Sequence, residues 1–126
     1  KHESYGDNLA RCQRHFYAPI QIGDQSADDT YFANGYMYNS STMLGTIIHP
    51  VEMRAKPTVT TSDGTDDFIF FRNNAADTFD NLLLNTSNPR ATSVYNSSDV
   101  SGTAGHGGGL YADDSNTCFI HLSAEL

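Results

Sequence analysis

From Pro19 onward the chain is a succession of short β-prone runs, each closed by Asp, Asn, Ser, Gly or Pro. They are FYAPIQI, TYFANGYMYN, MLGTIIH, KPTVTTS, DFIFFRN, FDNLLLN, RATSVYN, GLYAD and TCFIHLSAEL. β-branched and aromatic residues fit a pleated, half-buried surface, and turn residues mark where each run stops. Eight or nine short strands at spacings near ten residues predict an antiparallel β-sandwich or jelly roll. Within TVTTSDGTDDFIFF, Asp63-Gly64 between two β-prone runs predicts a hairpin, with a loop longer than two residues. No repeat interrupts the series, and no low-complexity stretch except the glycine-rich SGTAGHGGGLYADD of residues 101–114.

Only ESYGDNLARCQRHFY, at the start, reads as a helix. Ser4 suits the N-cap, Asp7 the positive end of the macrodipole, and Arg11 and Arg14 the negative end. Tyr5, Leu9, Cys12 and Phe16 recur at spacings of four, three and four, forming one apolar stripe. The stripe fits either a short coiled-coil seam or a helix lying on its own domain. Residues 1–17 are therefore read as a helix and possible self-association segment, and 18–126 as the sandwich. With 126 residues the chain makes one domain able to bury a core without a disulfide framework. Cys12 and Cys118 stand far apart in sequence, as one bridge or, more simply, as two reduced side chains. The start at Lys1, without Met or a signal-like run, reads as a piece of a longer protein.

Fifteen acidic residues against seven basic give a net charge of −8, which excludes a phosphate-neutralising nucleic-acid binder. After Thr60 only Arg72 and Arg90 carry fixed positive charge, against nine carboxylates. No apolar run approaches the ~18 residues of a membrane span. The glycine run is no nucleotide loop: Leu110-Tyr111 follows it where a phosphate loop needs Lys-Ser/Thr. None of His2, His15, His49, His106 and His121 forms a zinc-ligand spacing. His121 alternates with Phe119 and Ser123 as a sheet residue, whereas His106, flanked by glycine, is a solvated loop residue or a ligand contact. The acid-rich stretches 24–29 and 63–67 lack calcium-loop spacing, and turn chemistry accounts for them. No nucleophile motif is present, so the expectation is a non-enzymatic protein without metal or cofactor.

Tyr31, Phe32, Tyr36, Tyr38, Tyr95 and Tyr111 lie among Asn, Asp and Ser, where flat rings beside polar edges suit sugar binding. Half of any strand's rings face its core. The sequons at Asn39, Asn85 and Asn96 suit glycosylation only in a protein secreted by a eukaryote.

Three stretches carry more than composition. ESYGDNLARCQRHFY resembles the Ser-Tyr-x-x-Glu-Leu-x-x-Cys-Gln-Arg-Tyr-Tyr segment near the C-termini of many bacteriophage tail and tail-fibre proteins. HPVEMRAKPTVTTSDG resembles their Pro-Val-x-Met-Arg-Ala-x-Pro-Thr-Val segment, and CFIHLSAEL their closing Phe-x-Ala-Glu-Leu. The three occur in the same order and span nearly the whole chain. Asn8 stands where an acid is usual, and His15-Phe16-Tyr17 replaces the Tyr-Tyr pair. The resemblance implies a homotrimeric C-terminal β-sandwich at the far end of a virion fibre. Its loops would recognise a host-surface glycan or protein, with no catalytic residues. The alternatives are a structural trimerisation or capping module and a lectin-like carbohydrate-binding module. The loop Gly102–Gly109 is then a tip, with Tyr111, His106, Tyr36, Tyr38 and Asn39 as ligand contacts. Arg54 is expected to pair with a carboxylate or a chain terminus, and Pro57 to hold Lys56 extended.

Overall fold

In a computed structural model, residues 5–23, 29–72, 75–114 and 117–124 are described. Ser4, the Tyr5 side chain, residues 24–28 and Glu125 lie outside the described parts. A helix, α1 (Tyr5–Gln13), precedes ten strands. These are β1 (Phe16–Ile20), β2 (Thr30–Met37), β3 (Met43–Ile48), β4 (Thr58–Thr61), β5 (Phe68–Arg72), β6 (Ala75–Phe79), β7 (Leu83–Ser87), β8 (Ala91–Asn96), β9 (Gly107–Ala112) and β10 (Ile120–Ser123).

All strand pairs are antiparallel and form two unequal sheets, β1-β10-β4 and β6-β5-β9-β2-β3-β8-β7. The period-2 alternation of side chains decides what each sheet contributes to the layer between them. From the large sheet, Ala33, Met37, Met43, Ile47, Phe68, Phe70, Val94 and Leu110 point inward. Ile20, Ile120 and Leu122 meet them from the small sheet, and all are buried. The sandwich and short helix match the expectation from sequence.

Three details differ from it. The helix ends at Gln13, so Phe16 belongs to β1 and not to the helical stripe. The Asp63-Gly64 stretch is not a hairpin: β4 pairs with β10, whereas β5 pairs with β6 and β9. There the Asp67 carboxylate accepts the Gly64 N–H (3.1 Å), and Asp66 takes φ 58°, so the turn passes the chain from one sheet to the other. The missed strand is β6, AADTF, whose Phe79 alone reaches the core.

The three stretches that carry the resemblance meet in one place. The Arg54 N–H donates to the Arg14 carbonyl (2.8 Å), its guanidinium to the Ala124 carbonyl (2.8 Å), and the Ala124 N–H to the His15 carbonyl (2.8 Å). Arg54 thus ties two chain segments by their backbone carbonyls; Glu125 and the C-terminus, among the partners expected for it, lie outside the described residues. Met53 joins this knot to the β7–β8 turn through Pro89 (2.7 Å). By register, the β2–β3 hairpin and the loop entering β9 lie at the opposite end of the large sheet.

Candidate binding tip and sheet face

At that opposite end, Tyr38 N–H closes the β2–β3 hairpin on the Thr42 carbonyl (2.8 Å). Asn39 Oδ1 accepts the N–H groups of Ser41 and Thr42 (both 2.9 Å) and the Ser41 hydroxyl (3.3 Å). Asn39, expected to touch ligand, is exposed and uses its carbonyl oxygen to build the hairpin, the usual use of Asn in a turn. Residues 101–106 lie alongside. Gly102 N–H donates to Ser40 O (3.0 Å), Gly105 N–H to Met37 O (2.8 Å), and Met37 N–H to His106 O (2.9 Å). A turn closed by His106 N–H on Thr103 O carries Gly105 at φ 92°, a left-handed position that favours glycine.

Behind this loop sits Arg72, its side chain only 11% exposed. It pairs with Asp77 (3.2 Å), donates to the Ser101 carbonyl and lies 4.9 Å from the Phe70 ring centroid. Arg72, Asp77, Thr103 and His106 line a shallow depression of about 290 Å³. A second, of about 400 Å³, opens between Tyr38, Thr42, Leu44, Asn85 and Tyr95.

The sequence candidates fall in two groups. His106 and Tyr38 (63% exposed) stand together on the tip. Tyr36 and Tyr111 do not belong to a loop: both point outward from the large sheet, Tyr36 opposite Gly107 and Tyr111 edge-on to Tyr31 at 5.5 Å. Tyr111 lies five residues along β9 from His106, roughly 17 Å away at strand rise. Of the expected loop Gly102–Gly109 only 102–106 is loop, because Gly107 to Gly109 are already in β9, between β5 and β2.

On the outward face of the same sheet, Tyr31, Asn34, Tyr36, Thr46 and Ile48 border a depression of about 450 Å³. Asn34, Thr46 and Ile48 escaped the reading of the sequence. The alternation in YFANGYM and MLGTII carries the signal, once Met37, Met43 and Ile47 are known to face the core.

At the far end, the carboxylates of Asp29, Asp113 and Asp114 lie within 4.8 Å of one another. Burial first and Asp114 second push the Asp113 carboxyl above its ordinary value. A raised folded-state value means the ionised group opposes folding at neutral pH. That penalty disappears as pH falls through the raised value and below the ordinary one. Asp113→Asn should therefore raise the melting temperature at pH 7 and leave it unchanged near pH 3. The effect should be small, because the group is only partly buried and solvent screens it. Equal melting temperatures at both pH values would contradict it.

The remaining candidates are structural. His49 is buried, its Nδ1 2.9 Å from the Pro89 carbonyl and its Nε2 2.7 Å from the Thr92 hydroxyl. His121 sits between the Phe16 and Phe119 rings. Neither cysteine is in a disulfide: Cys12 is exposed, and the buried Cys118 thiol donates to the Asp67 carbonyl (3.0 Å). Of the sequon asparagines, Asn96 is 1% exposed and bonded to the Asn81 carbonyl, so its amide cannot carry a glycan in this fold. Comparison with family models, curated proteins and solved structures finds no match to this chain.

Proposed function

We propose that the chain is the receptor-binding C-terminal domain of a phage tail-fibre or tail-tip protein. It acts in the virion as a homotrimer, and binds a host-surface glycan or protein by contact, without catalysis. One observation carries the reading. The three stretches that resemble tail proteins knot together at one end of the sandwich, whereas the β2–β3 hairpin and the loop entering β9, which lack that resemblance, lie together at the other. A fixed base with divergent loops on a rigid sheet is how binding scaffolds are built. At the tip, Tyr38 offers an exposed ring and His106 an exposed imidazole, beside backbone left bare by glycine.

Adsorption of the purified domain to a panel of bacterial strains tests the reading, with competition against phage infection where a strain is found. A domain that binds no strain and blocks no infection would leave only the structural capping role. In a strain that is bound, Tyr38→Ala should weaken adsorption about 30-fold, the equivalent of ~2 kcal/mol for an aromatic anchor. Its stability should stay within about 0.5 kcal/mol. Asn39→Ala should do the reverse, costing about 1 kcal/mol of stability through the lost hairpin bonds. Denaturant titration beside the adsorption assay separates the two.

A further inference from the structure

The outward face of the seven-stranded sheet has an unusual composition for this chain. No outward position in its seven strands holds Asp, Glu, Lys or Arg. The strands' only charged residues, Arg72 and Asp77, alternate to the inner side and pair there. Yet the protein as a whole carries a net charge of −8. In place of charge the face presents Phe71 (48% exposed), Tyr31 (52%), Tyr36 (47%), Ile48 (70%) and Leu83 (46%). Depletion of charge with enrichment of aromatic residues is the mark of an interface core.

We infer that this face is where copies of the chain meet one another. The size fits. Seven strands at ~4.8 Å spacing and about five residues at ~3.4 Å each cover roughly 570 Å² in projection, before side-chain relief is counted. That approaches the ~800 Å² each partner gives to a stable interface. The charge pattern selects the occupant. Two copies at −8 repel, and this face lets them meet with no carboxylate set against another. A basic partner would find nothing to pair with here. A sugar needs rings flanked by hydrogen-bonding groups, as around Asn34 and Thr46. Phe71 and Leu83 carry the uncharged face onto strands on either side, well beyond a single ring.

The inference moves the seam from the helical stripe of Leu9 and Cys12 to the sheet, and it stands or falls independently of receptor binding. The test is sedimentation of the purified chain at about 10–100 µM. The wild type should be oligomeric, with the mass giving the order. Ile48→Glu with Leu83→Glu should make it monomeric, and Leu9→Glu should leave it unchanged. Because an obligate assembly can unfold when split, a second measurement uses Thr46→Cys in a Cys12→Ser background. Its thiol should react at least 10-fold more slowly than that of Ser40→Cys on the tip, and the difference should close on dilution to monomer. A monomeric wild type at 100 µM overturns the inference. So does dissociation by Leu9→Glu alone, or equal reactivity of the two thiols in the oligomer. If the wild type is monomeric and Ile48→Glu with Leu83→Glu abolishes adsorption to cells, the face is a receptor surface instead.

Discussion

Gly108→Ala should lower the melting temperature by roughly 10 °C, far more than alanine at its neighbours Gly105 or Gly107. Gly108 faces inward on β9, with β5 on one side and β2 on the other. An added methyl group would overlap the Phe71 carbonyl oxygen and lie 2.8 Å from the Arg72 Cβ. The obstacle is the backbone of a hydrogen-bonded neighbour strand, which cannot swing aside as a side-chain end can. Overpacking costs about 1–3 kcal/mol where neighbours can adjust, and this site belongs at the top of that range. For a chain this long, each kcal/mol shifts the midpoint by about 3–5 °C. At Gly107 the nearest atom to such a methyl is 3.5 Å away, so alanine should be nearly neutral there. At Gly105 the methyl meets nothing, but φ is 92°, and alanine should cost about 1 kcal/mol of backbone strain. The expected ranking is 108, then 105, then 107. Equal midpoints for the 108 and 107 variants would mean that β9 is not clasped between β5 and β2 as described.

The glycine run shows what could and could not be read from the chain. Its richness was plain, but one cause was expected, an exposed tip, and the structure has two. Gly102 and Gly105 make a loop, whereas Gly108 lets β9 lie close to β5. The second cause depends on which strands are neighbours, and strand order in a sheet is a long-range fact that no local pattern encodes. The same limit explains the Asp63-Gly64 turn, whose residues suit a hairpin while the pairing partners lie elsewhere. It explains Tyr111 as well: alternation says that Tyr111 and Leu110 point to opposite faces, but not which face is core. What was legible is what depends on local pattern. Nearly every β-prone run became a strand, and His121 and Cys118 took the structural roles assigned to them. AADTF was missed because alanine and aspartate have little β-propensity; its pairing with β5 and the burial of Phe79 hold it in the sheet.

Arg72→Ala should both destabilise the fold and loosen the tip. The guanidinium lies over Phe70, pairs with Asp77 and donates to the Ser101 carbonyl, one residue before Gly102. Gly102 has no room for a Cβ because Arg72 fills that space. Removing the arginine leaves Asp77, 24% exposed on its side chain, without this cation under the loop. Breaking a fully buried pair costs about 3–5 kcal/mol. At this partial exposure about 2–3 kcal/mol is expected, read as the shift in a urea unfolding curve. Arg72→Lys keeps the charge but not the fork that reaches Asp77 and Ser101 together, and should fall between the two. Hydrogen exchange gives the second readout. The Gly102 and Gly105 amides, bonded to Ser40 and Met37, should exchange faster in Arg72→Ala by more than the global loss of stability explains. Asp77→Ala frees the arginine without emptying the space beneath Gly102, so it should unlock the loop less. If those amides keep their protection in Arg72→Ala, the hairpin bonds and the Ser101 N–H bond to the Asp77 carboxylate (3.3 Å) hold the loop. Arg72 would then stabilise the sheet edge without fixing the shape that the tip presents.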